Sequence, residues 1–304
     1  MAQRKGTCVL SGGSSNGLAK SIAGKIGARL ITTEVRVFAD GESKMRLGGR
    51  TAGCERAVIV QSLHPPVDTN LFRALCLISR ISEDTKDVTA VIPYVGYARQ
   101  DAEFLPGEII SAKVLGRMLR SSGAARIVVV DIHSEKGLAL LGTRGTTNVS
   151  AIPALARHFD GIRLERPIAV SPDKGGARRA ERFSSEMGCD LLVLEKSRDR
   201  RTGAVSIKTK KAGAVVGRDA IIIDDMISTG GSVVKAAEFL KKQGCRRIFA
   251  ACTHALLADG AKSKIRRAGV DKIVCANTMP AGRGVASVDV SDEIVRVLKR
   301  RRRR

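Results

Sequence analysis

Short apolar runs rich in Val and Ile alternate with longer segments of helical spacing along nearly the whole chain. In the first half, predicted strands occupy residues 57–62, 87–94 and 125–133. Between them, residues 69–81 and 110–123 repeat apolar side chains every three or four positions, and Gly123 is placed as a helix C-cap. This alternation is typical of βαβ units, in which helices connect the parallel strands of one sheet.

The same alternation restarts in the second half of the chain. Predicted strands there are 167–173, 189–196, 218–225, 246–254 and 270–278, and predicted helices are 177–188, 232–244 and 257–269. Two α/β blocks therefore fit better than one long sheet, with a boundary in the polar, turn-rich segment 145–152. We predict domains at 1–147 and 148–304; whether the final helix packs on the first domain is left open.

Composition limits the class of protein. The 304 residues are 43% hydrophobic and 27% charged, which excludes a disordered chain. No apolar run approaches the roughly 20 residues of a membrane span, and no signal peptide is recognisable. Seven cysteines without a C-x-x-C pair argue against a disulfide framework or a zinc ribbon, and favour buried small side chains. We expect a soluble, cytoplasmic protein that makes no membrane contact.

The charge is unusual for such a chain. Its net value is +23, and all six residues from Lys299 to Arg304 are cationic. This balance suits a nucleic-acid binder, yet the chain has no Trp, two Tyr and seven Phe to stack on bases. A basic protein serves small polyphosphate anions equally well, so nucleic acid is expected only at the basic tail.

The most informative stretch is IIIDDMISTGGS, residues 221–232. Asp224 and Asp225 end a predicted strand, and a helix is expected to open at Ser232. Between them, Gly230 and Gly231 let backbone N–H groups surround an anion at the helix N-terminus. A sugar phosphate with a vicinal diol fits this pattern, with its phosphate in the turn and its hydroxyls on the carboxylates. The alternative is an ordinary strand-to-helix loop with a Ser N-cap.

This segment resembles the ribose-5-phosphate-binding motif shared by phosphoribosyltransferases and phosphoribosyl pyrophosphate synthetases. Other segments resemble the synthetase family and occur in its order: 37–43, 60–72, 96–101, 128–134, 171–179, 194–198, 253–254 and 277–280. The short loops and the FADGE sequence look most like archaeal members. The resemblance implies an α/β fold of two phosphoribosyltransferase-like domains, each a mainly parallel sheet flanked by helices.

The family's reaction transfers the diphosphoryl group of Mg-ATP to the 1-hydroxyl of ribose 5-phosphate, giving phosphoribosyl pyrophosphate and AMP. Lys196 and Arg198 match its catalytic Lys-x-Arg at the base of a flap, here residues 199–205. Composition alone leaves a solvated hairpin tip as an equal alternative for that segment. Phosphoryl transfer needs cations around the charge on the phosphate oxygens, which these two residues can supply.

The resemblance also assigns the binding residues. The ATP-binding set is Phe38, Asp40, Glu42, Arg99, Gln100, Asp101 and His133. The ribose-5-phosphate set is Asp224, Asp225, Ser228, Thr229, Gly230, Gly231 and Ser232. His133 and Asp173 match residues implicated in binding the Mg²⁺ cofactor, and Asp173 is the natural ligand because Mg²⁺ prefers oxygen. Phe38, Asp40 and Glu42 match the family's adenine-binding loop, here called the adenine loop. In the family this loop reaches the ATP of a neighbouring subunit, so a homo-oligomer, at least a dimer, is implied.

The chain departs from the family pattern after GYARQD. Residues 102–105 are Ala-Glu-Phe-Leu where basic residues are usual, and Gly96 replaces a common Pro. Regulation and assembly size are therefore left open.

Alternative functions are a non-catalytic regulatory relative, a phosphoribosyltransferase, and an RNA-binding protein supported only by charge. The active enzyme is favoured over a regulatory relative because the chain keeps all of the matched polar residues. These are Lys196, Arg198, His133, Asp173, Asp224 and Asp225.

Overall fold

A computed structural model describes residues 6–142, 145–198, 205–208 and 213–299, without the side chains of 196–198 and 205–208. The chain divides into two compact units. The first contains the described residues up to Ser150, Thr278–Pro280 and the segment from Asp289 onward; the second contains Ala151–Asn277 and Ala281–Val288. The sequence-based boundary at 147/148 stays a prediction.

The described elements follow the chain in this order. The strands are β1 (Thr7–Ser11), β2 (Arg29–Val37), β3 (Ser43–Leu47), β4 (Arg56–Val60), β5 (Asp87–Ile92), β6 (Arg126–Val130), β7 (Thr146–Val149), β8 (Ile168–Ser171), β9 (Asp190–Val193), β10 (Glu195–Arg198), β11 (Val205–Lys208), β12 (Asp219–Ile227), β13 (Arg247–Ala255), β14 (Lys272–Ala276) and β15 (Ala286–Val288). The helices are α1 (Asn16–Ile26), α2 (Val67–Ser82), α3 (Ser111–Ser121), α4 (Glu135–Leu140), α5 (Ile152–Asp160), α6 (Ala177–Met187), α7 (Gly231–Lys242), α8 (Ala261–Arg267) and α9 (Ser291–Lys299).

Each unit is built on one large sheet. The first sheet has seven strands in the order β3-β2-β1-β4-β5-β6-β7, and only the β2–β3 pair is antiparallel. The second has six parallel strands in the order β15-β14-β13-β12-β8-β9. Fully buried aliphatic side chains such as Ile59, Ile92 and Ile222 fill the cores against the helices. The predicted α/β class with two mainly parallel sheets is confirmed.

Three local predictions are corrected. Residues 189–196 do not form one strand, because β9 joins the large sheet whereas β10 pairs with β11 in a separate antiparallel ribbon. Strand β12 does not end at its acids but runs on to Ile227, since it keeps its register with β13 up to the pair Ile227–Ala255. The helix predicted at 257–269 is shorter, Ala261–Arg267, because Gly260 adopts the left-handed conformation and caps its N-terminus.

A buried acid anchors the start of β12. Asp219 has no exposed surface and binds the guanidinium groups of Arg246 and Arg247, at 2.7 and 2.6 Å, and the backbone N–H of Glu165. Burial would raise the pKa of Asp219, but the hydrogen bonds from these groups outweigh it and lower the pKa to about 2. The carboxylate therefore stays ionised and ties β12 to β13.

The chain returns to its first unit at its end. Helix α9 packs against α1, and Lys25 forms ion pairs with Asp292 at 2.8 Å and Asp289 at 3.7 Å. The Arg56 guanidinium donates a hydrogen bond to the Leu298 carbonyl at 2.7 Å. The segment after Asp289 thus completes the first unit.

Two of the seven cysteines are joined. Cys8 on β1 and Cys54, just before β4, form a disulfide and are both buried. The sequence argument against a disulfide framework missed this pairing, because β1 and β4 are neighbours in the sheet although 46 residues separate the two thiols along the chain. Buried small side chains were predicted, and Cys252 and Cys275 take that role.

Among the described residues, no helix has both the length and the apolar character needed to cross a membrane.

Candidate active site

Several of the residues singled out from the sequence lie at or just beyond the carboxyl ends of parallel strands, where α/β sheets place their ligands. In the second unit, the segment after β8 and the acids of β12 lie at the same edge because β8 and β12 are parallel neighbours. In the first unit, Arg99 follows β5 and His133 follows β6, which are also parallel neighbours. Each unit thus presents its own group of polar side chains.

Asp224 and Asp225 lie side by side within β12. The Asp225 N–H donates to the Asp224 carboxylate at 2.9 Å. Their side chains are 19% and 10% exposed, so both carboxylates are largely withdrawn from water. Two carboxylates held this close and this deep form a strong acceptor for hydroxyl donors.

One guanidinium spans both acids. Arg179, in the first turn of α6, places its terminal nitrogens 3.6 Å from an Asp224 carboxylate oxygen and 3.7 Å from an Asp225 carboxylate oxygen. Burial, followed by the neighbouring Asp225 carboxylate, raises the pKa of Asp224 to about 7, and the charge of Arg179 opposes that rise. Arg179 ends the sequence motif 171–179, but the sequence alone indicated no role for it.

Helix α7 begins at Gly231, directly after the loop that follows β12 and one residue earlier than predicted. Gly230 caps the helix in the left-handed conformation, φ 79°, and a Cβ there would lie 3.0 Å from the Ile265 side chain. Apart from its chain neighbours and the backbone of its own helix, no described atom lies within 4 Å of the position a Cβ would take at Gly231, so the helix N-terminus borders open space there. Thr229 is exposed, and Ser228 and Ser232 are half-buried beside it.

The turn after β8 is built around Asp173. Its carboxylate accepts a hydrogen bond from the Gly176 N–H at 3.1 Å, and its carbonyl accepts one from the Ser171 hydroxyl at 2.6 Å. A Cβ at Gly176 would lie 2.9 Å from that hydroxyl, so the turn requires glycine. The carboxylate of Asp173 is thereby fixed at the edge of the sheet with partial exposure.

Lys196 and Arg198 lie on β10, whose backbone pairs with β11 opposite Ile207 and Val205 respectively. Their side chains lie outside the described residues. So does most of the predicted flap, residues 199–204. The two strands on either side of that segment form an antiparallel hairpin, and the choice between a flap and a hairpin tip stays open.

In the first unit, the structure brings Asp101 to the segment that carries His133. The Ser134 hydroxyl donates to the Asp101 carboxylate and accepts from the Gly137 N–H at 2.8 Å, which caps α4. His133, one residue earlier, is exposed at the carboxyl end of β6. Sequence reasoning gave Ser134 no role, although a Ser directly before a helix is a recognisable N-cap signal.

Arg99 and Gln100 are both exposed on the segment after β5. The two tyrosines that flank them differ. Tyr94 is buried, and burial raises its pKa, whereas Tyr97 is partly exposed with positive φ and donates its hydroxyl to the Asp68 carboxylate. Of the two tyrosines, Tyr94 belongs to the core and Tyr97 faces solvent.

The predicted adenine loop is the tight tip of the β2–β3 hairpin. The Phe38 N–H donates to the Glu42 carbonyl and the Asp40 carboxylate accepts from the Glu42 N–H, at 2.9 and 3.0 Å. The Phe38 ring is 40% exposed and lies 5.3 Å from the Arg36 guanidinium carbon. The loop thus presents an aromatic face and two acids to solvent.

Both α/β units carry polar groups at the ends of their strands, and the second unit also carries a loop with two adjacent acids and two glycines. This combination is typical of enzymes that bind phosphorylated sugars and nucleotides. Residues 7–123 match the family described as the N-terminal domain of ribose phosphate pyrophosphokinase, and residues 202–301 match the phosphoribosyl synthetase-associated domain. The chain is 33% identical over 291 residues to a ribose-phosphate pyrophosphokinase of Sulfolobus acidocaldarius, covering 95% of this chain and 99% of that one. It is 35% identical to one of Methanothermobacter thermautotrophicus, covering 94% and 97%.

A solved structure agrees over nearly the whole chain. The fold matches a phosphoribosylpyrophosphate synthetase from Mycobacterium smegmatis with a TM-score of 0.82, 27% identity, and 97% and 98% of the two chains covered. The chain belongs to the ribose-phosphate pyrophosphokinase family. It is an enzyme that transfers the diphosphoryl group of ATP to the 1-hydroxyl of ribose 5-phosphate, giving phosphoribosyl pyrophosphate and AMP.

Proposed function

We propose that the second unit binds ribose 5-phosphate through the segment 224–232. Asp224 and Asp225 accept hydrogen bonds from the vicinal hydroxyls, and the phosphate occupies the turn formed by Ser228, Thr229, Gly230, Gly231 and Ser232. The observation that carries this proposal is the deep, paired placement of the two carboxylates next to the open N-terminus of α7. Backbone N–H groups and the helix dipole favour a phosphate there.

ATP is assigned to the groups of the first unit. Phe38 stacks on the adenine, Asp40 or Glu42 accepts from its amino group, and Arg99 and Gln100 hold the nucleotide; Asp101 and His133 complete the set. The exposure of Phe38 and of the Arg99–Gln100 segment supports this assignment.

The chemical step is a transfer at phosphorus. The 1-hydroxyl oxygen of ribose 5-phosphate bonds to the β-phosphorus of ATP, the bond from that phosphorus to the α,β-bridging oxygen breaks, and the hydroxyl proton is released to water. AMP leaves with the bridging oxygen. Lys196 and Arg198 stabilise the charge that spreads over the phosphate oxygens in the transition state.

The residues present fit a Mg²⁺ ion that is held largely by substrate. No cluster of three or more His, Cys, Asp or Glu side chains suited to a metal occurs among the described residues, so a cage made of protein alone is not seen there. Mg²⁺ is commonly bound by one or two carboxylates plus substrate phosphates and waters. Asp173 offers such a carboxylate at a strand end, and His133 is proposed to act indirectly. When bound, the ion neutralises phosphate charge.

Asp173→Asn is expected to raise the Mg²⁺ concentration needed for half-maximal activity by about tenfold or more, because the amide removes the anionic ligand. The measurement is AMP formation as a function of Mg²⁺ at saturating ATP and ribose 5-phosphate. Asp160→Asn, at the end of α5, is the matched control. An unchanged Mg²⁺ dependence in Asp173→Asn contradicts the assignment.

A homo-oligomer that shares its ATP sites is also proposed, because the adenine loop is a hairpin tip with an exposed ring. If that loop serves a neighbouring subunit, an inactive Asp40→Ala/Glu42→Ala variant mixed with an inactive Lys196→Ala variant recovers activity. Random pairing restores about a quarter of the sites. The measurement is AMP formation after mixing, and an inactive mixture of variants shown to exchange subunits contradicts the shared site.

A cytoplasmic location is proposed from the substrates, which are intracellular metabolites. Contact with nucleic acid is proposed only for the basic tail, of which residues 300–304 lie outside the described part of the chain.

A further inference from the structure

A single cation lies against both acids of the proposed sugar site. The Arg179 guanidinium is 3.6 Å from one oxygen of Asp224 and 3.7 Å from one oxygen of Asp225, and its side chain is only 21% exposed. These separations are longer than hydrogen bonds. The guanidinium therefore supplies positive charge to both carboxylates with little directed bonding to the oxygens it faces.

A diol needs both carboxylates as acceptors. An ionised carboxylate has only acceptor sites, whereas a protonated one also carries an O–H donor that competes with the sugar hydroxyl. Two adjacent carboxylates with little exposure repel each other, and the pair favours taking up one proton. A cation placed between them counters that tendency.

The position of Arg179 follows from the fold. Helix α6 starts directly after the turn that ends β8, and β8 lies beside β12 in the sheet. The first turn of α6 is thereby brought to the place on β12 where the two acids lie. Arg182, one turn further along α6, is exposed to solvent.

We propose that Arg179 is a positioning residue, which holds Asp224 and Asp225 side by side as paired acceptors for the vicinal diol of ribose 5-phosphate. This inference rests on the proposed role of the two acids. It makes sugar binding depend on a residue of helix α6, which lies outside the 224–232 segment.

The direction of the pH effect follows from the groups that face Asp224. Burial and Asp225 raise the pKa of Asp224, Arg179 lowers it, and the Cys252 thiol on the adjacent strand β13 lies in register with Asp224. Loss of the guanidinium removes the opposing charge, so the pKa of the pair rises further. Sugar binding then requires a higher pH.

The test compares Arg179→Gln and Arg179→Lys with Arg182→Gln as the matched control on the same helix. Ribose 5-phosphate affinity is measured calorimetrically between pH 6 and 9.5 on the full chain, and ATP affinity is measured in parallel. At pH 7, Arg179→Gln is expected to weaken sugar binding about tenfold or more, and to regain most of that affinity as the pH rises by one to two units. Arg179→Lys is expected to keep part of the affinity at pH 7, because it retains the positive charge, but not all of it, because one ammonium cannot face both carboxylates as the two guanidinium nitrogens do.

Recovery at high pH separates positioning from a general loss of structure, which would not be reversed by pH. Sugar affinity in Arg179→Gln equal to that in Arg182→Gln overturns the proposal, and so does a weakened affinity that stays constant across the pH range. The variant Asp224→Asn distinguishes failure of the proposed role of Arg179 from failure of the proposed sugar site. If Asp224→Asn loses sugar binding while Arg179→Gln keeps it, only the role of Arg179 fails; if Asp224→Asn also binds normally, the proposed sugar site fails.

Discussion

Lys196→Ala is expected to lower turnover by roughly 10³–10⁵-fold while leaving ribose-5-phosphate binding nearly intact. In the transition state, charge spreads over the oxygens of the transferred group, and a cation aimed at them stabilises that state more than the bound substrates. Lys196 lies on β10, next in the chain to the large sheet that carries the sugar loop, so its removal leaves the proposed sugar contacts in place.

The measurement is AMP release at saturating substrates, with ribose-5-phosphate affinity determined separately by calorimetry. Lys264→Ala, an exposed lysine of α8, is the matched control and is expected to keep wild-type turnover. AMP release at the wild-type rate by Lys196→Ala would remove this residue from the catalytic machinery. A large loss of sugar affinity would instead place it in the binding site.

Asp224→Asn/Asp225→Asn is expected to weaken ribose-5-phosphate binding about 100-fold or more. Each substitution preserves the shape of the side chain and removes the charge, and a hydrogen bond to a charged group contributes about 1.5–3 kcal/mol. The amides also remove the charge attraction to Arg179 and add N–H donors that compete with the sugar hydroxyls.

Equilibrium binding of ribose 5-phosphate, 2-deoxyribose 5-phosphate and ATP distinguishes the contributions. The wild-type protein is expected to bind the deoxy sugar more weakly than ribose 5-phosphate, and the double variant to bind both sugars alike, since it has lost the diol contacts. ATP affinity stays unchanged, and Asp259→Asn, on an exposed turn, is the matched control. A double variant that still prefers the ribose form would show that the diol is recognised elsewhere.

The sequence predicted many of the strands that are continuous apolar runs and the helices with clear apolar spacing, but it did not predict β1, α1, β7, α4 or α5. RIVVV and IAVS each contain a single polar residue, at one end, and form β6 and β8. The edge pair β2–β3 escaped prediction, since its alternating burial includes Arg, Glu and Lys side chains that face solvent. Short strands such as β15, with three residues, carry too little pattern to detect.

Contacts between distant segments could not be predicted in the same way. Asp224 and Asp225 are neighbours in the chain and are read directly from it, whereas Arg179 reaches them only because β8 and β12 are adjacent in the sheet. The disulfide between Cys8 and Cys54 depends likewise on the pairing of β1 with β4. Strand order, which sequence periodicity does not encode, decides both.

The return of α9 to α1 makes the second unit an insertion within the first. A chain truncated after residue 150 would therefore lack the partner of α1 and leave Lys25 without its two acids. Proteolysis at one linker alone would not release a complete first unit, because its final segment would stay covalently attached to the other unit. Independent expression of the first unit calls for a fusion in which a short linker joins Ser150 to Asp289, where its two longest segments end and begin.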